Sequence, residues 1–162
     1  MNKILADMHT HTIASGHAYA TLTEMCKEAA NKGLEIYGIT EHSSGTPGTC
    51  ADIYFQNLRV VPRDLFGLDL RLGAEINIID YNGTLDLDQK YIDRLDFVIA
   101  GIHSVCYKFG SKEENTAAII NAIKNPNVNI ISHPDDGRCP LDYEALVQAA
   151  KEYHVLLEIN NN

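Results

Sequence analysis

Asp7-Met8-His9-Thr10-His11, followed by His17, gathers three imidazoles within nine residues. A neutral imidazole offers a ring-nitrogen lone pair to a borderline metal ion. Side chains two apart in an extended chain point the same way, so His9 and His11 converge on one ion if residues 3–8 form a strand. An isolated His-x-His also occurs as plain surface polarity, so the reading depends on what the rest of the chain adds.

More ligand types recur downstream. His42 follows the apolar run Ile36-Tyr37-Gly38-Ile39-Thr40, His103 follows residues 96–102, and His133 follows Val128-Asn129-Ile130-Ile131-Ser132. Glu75 lies inside Leu72-Gly73-Ala74-Glu75-Ile76, where an ionised carboxylate is costly unless paired, hydrogen-bonded or metal-bound. Of the seven histidines, His154 alone falls outside this pattern, at a helix end where it can meet the helix dipole or solvent. Nitrogen-rich ligands with one carboxylate suit zinc, with iron or manganese as alternatives, over magnesium or calcium. Glu75 could bridge two ions. Water with a pKa lowered to near neutrality would then be the nucleophile, and the ions would polarise a phosphoryl or carbonyl oxygen.

The elements that must position these groups are readable from period and punctuation. Thr21 and Glu24 have capping-box spacing ahead of a helical pattern that ends at Lys32-Gly33. Further strands are predicted at 36–40, 68–79, 96–102, 128–132 and 155–159, with helices at 88–95, 113–124 and 142–153. Residues 52–64 read as a helix broken at Pro62, and 43–51 as a loop. Short, wholly apolar strands alternating with helices argue for a parallel sheet covered by helices, whose chemistry gathers at the strands' C-terminal ends. No repeat or linker divides residues 1–162, which read as a single domain.

Composition narrows the function. The 162 residues, 45% hydrophobic, hold no run long enough to span a membrane and no secretory signal pattern at the start, so a cytoplasmic protein is expected. Cys26, Cys50, Cys106 and Cys139 form no C-x-x-C pair and are expected to be free thiols. A net charge of −9 argues against a nucleic-acid partner.

Together these residues resemble the PHP family, named for polymerase and histidinol phosphatase domains, in its stand-alone bacterial phosphatase branch. The matching pieces are Asp7-Met8-His9-Thr10-His11, Ser15-Gly16-His17-Ala18-Tyr19, Ile39-Thr40-Glu41-His42, the stretch from Asn57 to Arg63, Gly73-Ala74-Glu75-Ile76-Asn77, Ala100-Gly101-Ile102-His103, Ile130-Ile131-Ser132-His133-Pro134 and Leu157-Glu158-Ile159-Asn160-Asn161. The resemblance implies an α/β fold, a distorted (βα)7-type barrel, with up to three metal ions at the strand ends and hydrolysis of a small phosphomonoester by hydroxide generated at those ions. It places His9, His11 and Glu75 on one ion, Glu75, His103 and His133 on a second, and His17 with His42 on a third. Zinc is expected, manganese or iron being possible. Arg59, and less so Arg63, would grip the substrate phosphate, the alternative being a solvated helix face. Asp7 and Glu41 would orient histidines from behind.

One departure stands out. The family pattern includes an Asp-x-His after a further strand, and residues 1–162 contain none, so the chain is expected to be truncated after the sixth strand and to leave the first and third ions short of ligands. Open sheet edges would invite pairing with another copy. The competing readings are a phosphodiesterase or exonuclease with the same metal chemistry, and a metal-binding module impaired in catalysis.

Overall fold

The structure, a computed structural model, describes residues 4–160. The strands are β1 (Ala6–Asp7), β2 (Ile36–His42), β3 (Asp69–Asn77), β4 (Phe97–Gly101), β5 (Ile130–Ile131) and β6 (Leu156–Leu157). They form one six-stranded sheet in sequence order, and every pairing is parallel. The helices are α1 (Leu22–Asn31), α2 (Ile53–Asn57), α3 (Gln89–Ile92), α4 (Lys112–Ile123) and α5 (Tyr143–Tyr153). This is the expected α/β architecture. Its central strands are buried on both faces, as parallel strands between helices must be: Ile39, Leu70, Leu72, Ile76 and Ile99 have no exposed surface.

Local chemistry sets the element ends. Thr21 and Glu24 close the expected capping box on α1, and Ser111 with Glu114 closes a second on α4. Pro62 has its predicted effect, because the helical stretch becomes α2 plus a 3-10 turn at Leu58–Val60 and turns extended at Val61. His154 takes the left-handed position ending α5, where its N–H donates to the Ala150 carbonyl.

The outer strands are shorter than the apolar runs suggest. The first spans Ala6–Asp7 where 3–8 was expected, with residues 1–3 outside the described part. The fifth and sixth have two residues each, although bonds such as Ser132 N–H to Ala100 O and Glu158 N–H to Ile131 O continue the ladder past them. A flat sheet would hold β1 and β6 about 24 Å apart, five strand spacings. His9, just past β1, nevertheless touches Glu158, just past β6, so the sheet curls into an incompletely closed barrel. Between the two edges lies a cleft of about 820 Å³ lined by Ile4, Asp7, Leu34 and Ile159 among others.

Candidate metal centre

Except for His17, which sits in the loop after β1, the cluster's side chains come from the C-terminal ends of the strands. His9 and His11 follow β1, His42 ends β2, Glu75 lies two residues before the end of β3, and His103, His133 and Glu158 follow β4, β5 and β6. Parallel register puts His42 directly beside Glu75. The Glu75 side chain is 1% exposed, and its two oxygens are the centre of the site. Oε2 has His42 Nδ1 at 3.0 Å, His9 Nε2 at 3.1 Å and His11 Nε2 at 3.3 Å. Oε1 has His133 Nε2 at 3.0 Å and His103 Nε2 at 3.1 Å. His17 joins at one remove, its Nε2 lying 3.0 Å from His42 Nε2.

Hydrogen bonding alone does not account for this packing. His9 Nε2 and His42 Nδ1 are buried and make no hydrogen bond, although each lies about 3 Å from Glu75. Two facing ring nitrogens, as in His17 and His42, share at most one useful proton. Ligands of a tetrahedral zinc at about 2.0–2.1 Å stand roughly 3.3 Å from one another, close to the spacings here, and nitrogen with carboxylate oxygen is the donor set zinc takes. Three sets of potential ligand atoms lie within 4.8 Å of one another: His9/His11/Glu75, His42/Glu75/His103 and His11/His17/His42. The residues fit a divalent metal. They differ from the implied partition in that His42 takes the place of His133 beside Glu75 and His103 and His11 joins His17 and His42, His42 facing Glu75 through Nδ1 and His17 through Nε2.

The electrostatics follow. Burial favours a neutral Glu75, but the imidazoles of His103, His11, His133 and His9 packed around it outweigh burial and hold the carboxyl well below the usual range. Burial likewise opposes a charged His9, yet Glu158 and Glu75 on either side raise its pKa to about 10. His42 goes the other way, to about 3, because burial, with the other imidazoles adding to it, overcomes the attraction of Glu75. His133 is raised, Glu75 overriding burial.

Behind the ligands sit groups that hold the rings. Glu158 accepts from His9 Nδ1 at 2.9 Å and from the His133 N–H at 2.7 Å, bracing His133 in a left-handed conformation (φ 28°) unusual for histidine. Glu41, fully buried, accepts from the Thr12 N–H and from the hydroxyls of Thr12 and Ser15. Ser15 has given its one proton to Glu41, so its oxygen accepts from His11 Nδ1 at 3.1 Å, which leaves His11 Nε2 as the nitrogen that faces Glu75, 3.3 Å away. Glu41 thus reaches His11 through Ser15. Asp7 is exposed, and its carboxylate accepts from the His9 main-chain N–H rather than from a ring.

Arg59 and Arg63 lie apart from the histidine cluster. Arg59 is exposed on a surface pocket of about 490 Å³ with Ala51, Ile53, Tyr54, Gln56 and Asn57, which shares no residue with the histidine cavities. Arg63 is tied to Asp96 at 2.8 Å and to the Leu58 and Val61 carbonyls, a structural clamp. The helical pattern around both told which residues neighbour each other but not how the segment lies against the sheet. The ligand-lined cavity, about 280 Å³, shares His42, His103 and His133 with a neighbour of about 340 Å³ that carries Asp136 and Arg138. Arg138 forks onto Asp136 (Nη2 to Oδ2, 2.7 Å) and, with burial opposing weakly, pulls that carboxyl down to about 2. Glu158, Asn77, Asp86, Ser15 and Arg138 are site residues that sequence reasoning did not single out, though Asn77 lies two after Glu75 on the same strand and Glu158 at a strand end like the others.

A curled parallel βα sheet with a histidine–carboxylate cluster at its strand ends places the chain among incompletely closed βα barrels. It belongs to the PHP domain family, whose profile matches residues 7–162. A protein of Acetivibrio thermocellus called a probable phosphatase is 48% identical over 160 residues, covering 99% of this chain and 66% of that protein. One from Caldicellulosiruptor saccharolyticus, described in the same words, is 51% identical over 155 residues, covering 96% and 65%. The chain thus spans about two-thirds of the length of these relatives. Among solved structures, a histidinol phosphate phosphatase of Lactococcus lactis, complexed with zinc, L-histidinol and phosphate, superposes with a TM-score of 0.59 at 20% identity, covering 96% of this chain and 72% of that one. Among the described residues no helix is long and apolar enough to cross a membrane, and all four cysteines are free thiols.

Proposed function

We propose that this chain carries the metal centre of a phosphoric monoester hydrolase acting on a small phosphorylated substrate. The observation that carries the reading is the convergence of five imidazoles on the two oxygens of the buried Glu75. The relatives called probable phosphatases and the zinc-, histidinol- and phosphate-bound neighbour support it.

In this reading His9 and His11 with Glu75 would hold one ion, His103 and His133 with Glu75 a second, and His42 with His17 a third. Zinc is favoured by the donor set, with manganese or iron as alternatives. When bound, such ions polarise a phosphoryl oxygen and bring the pKa of water near neutrality, which supplies the nucleophile. The protein's part is positional. Glu75 keeps the clusters in register, Glu158 and the Ser15–Glu41 pair hold His9 and His11, and the adjoining 340 Å³ cavity seats the substrate beside His103 and His133. Arg138 stands at that cavity, where a guanidinium can pair with a phosphate in a fork. Free thiols favour a cytoplasmic setting.

The test is to purify the chain, determine its bound metal, and assay a chromogenic phosphomonoester and a diester beside His103→Ala. Monoester turnover that needs metal and is lost in His103→Ala is expected. Metal-loaded protein inert on both substrates would overturn the catalytic reading, and preference for the diester would move it to a phosphodiesterase.

A further inference from the structure

We infer that Asp86, acting through Asn77, decides which nitrogen of His103 is presented to the metal cluster. The inference builds on the metal reading, but it concerns the proton on the ring and can be tested without metal.

Asn77 is fully buried at the end of β3. Its amide has a donating and an accepting end, and the surroundings allow one orientation. Asp86 is acceptor-only and lies 2.7 Å from Nδ2, so the NH2 end must face it. The Ser43 hydroxyl donates to Asp86 Oδ1, leaving its oxygen to accept from Asn77 Nδ2 at 3.1 Å and from the Asn77 N–H at 3.2 Å. Asp86 also accepts from the Asn77 N–H at 2.9 Å and the Gly45 N–H at 3.1 Å, which ties the loop after β2 to β3 and fixes the carboxylate.

The carbonyl end, Asn77 Oδ1, therefore faces His103 Nδ1 at 2.7 Å. A carbonyl oxygen can only accept, so Nδ1 carries a proton, and Nε2, 3.1 Å from Glu75 Oε1, is the nitrogen whose lone pair a metal would take in place of any proton shared with that carboxylate. Glu158 and Ser15 hold His9 and His11 in the same sense from single contacts. For His103 the choice is relayed through an amide that could point either way were the carboxylate not there. Asp86 and Asn77 are thus positioning residues: neither is among the groups around Glu75.

Asp86→Asn keeps the shape but presents Asn77 with a partner able to donate or accept, and it releases the lock. The double variant Asn77→Asp/Asp86→Asn reverses the pair, since a carboxylate at 77 accepts from both His103 Nδ1–H and the new amide. The experiment records imidazole 15N shifts of His103 in histidine-labelled, metal-free protein in alkaline buffer, and zinc affinity by chelator competition. Wild type is expected to show His103 protonated at Nδ1. Asp86→Asn should give mixed tautomers and zinc affinity lower by about 10–100-fold, the usual cost of losing a partner behind a ligand. The double variant should recover the Nδ1–H tautomer and most of the affinity. His103 remaining wholly Nδ1-protonated in Asp86→Asn would overturn the inference, as would a double variant no better than the single. If wild type binds no zinc, the metal reading fails and the 15N spectra alone decide the relay.

Discussion

His9 Nδ1, just past β1, lies 2.9 Å from Glu158 Oε1, just past β6, and joins the two edges of the sheet at the level of the histidine cluster. The same carboxylate takes the His133 N–H, so one side chain sets two ligands. Glu158→Gln keeps the size but loses the charge and leaves the orientation of the amide open. We expect zinc affinity to fall about tenfold and the metal-free fold to lose about 1–2 kcal/mol, measured by chelator competition and urea unfolding. Unchanged values in both would show that the seam contact does no positioning.

Between Glu158 and Glu75 the His9 ring, raised to about 10, is a cation at neutral pH. In the metal-free protein a raised pKa contributes stability that is full below the ordinary value of 6.5 and is lost as pH rises through about 10. A metal must displace that proton, so zinc binding at pH 7 should release protons and tighten as pH rises. Calorimetry in buffers of different ionisation enthalpy reads the release directly. Heats independent of the buffer would mean that His9 is already neutral.

Glu75 is the counter-charge for every inward imidazole except His17. Removing it as Glu75→Ala leaves buried ring nitrogens facing one another with no anion between them. Breaking a buried charge network by deleting one partner costs on the order of 3–5 kcal/mol, and stoichiometric metal binding should disappear. Thermal unfolding of the metal-free variant and its metal content after dialysis against zinc check both halves.

Much of this site was legible in the sequence because two simple signals coincide. Apolar runs mark parallel strands, and a ligand-type residue at the end of several of them needs only the rule that chemistry collects there. His9, His11, His42, His103 and His133 follow from that rule, and Glu75 from the cost of a carboxylate inside an apolar run. What holds them does not. Asp86 lies in a stretch with no helical or strand period, so its approach to Asn77 is visible only after folding. The hydroxyl of Ser15 reads as loop polarity until Glu41 takes its proton. The two-sided position of His42 depends on how far the loop bearing His17 folds back, which residue spacing does not encode.

Gly38 shows how the backbone sets the site. A Cβ there would stand 2.5 Å from the Met8 carbonyl oxygen, and main chain in a paired strand has little room to give. Gly38→Ala should push β1 outward, carry His9 and His11 away from Glu75, and cost about 1–3 kcal/mol as other overpacking changes do. Urea unfolding with a zinc titration tests it, and a variant of wild-type stability and affinity would show that β1 moves freely.

The placement of the arginines separates two accounts of phosphate binding. Arg59 lies on a pocket that shares no lining residue with the cluster, whereas Arg138 lines the cavity containing His42, His103 and His133. If the phosphate sits beside the cluster, Arg138→Ala should raise KM for a phosphomonoester several-fold to tenfold with a smaller change in kcat, because it removes binding shared by the ground and transition states. Arg59→Ala should leave both parameters within about twofold. Arg138 is exposed and already forked onto Asp136, so a neutral Asp136→Asn should free the guanidinium and lower KM. Steady-state kinetics on the three variants decide the matter: a KM that rises with Arg59→Ala and not with Arg138→Ala returns the phosphate to the segment around α2.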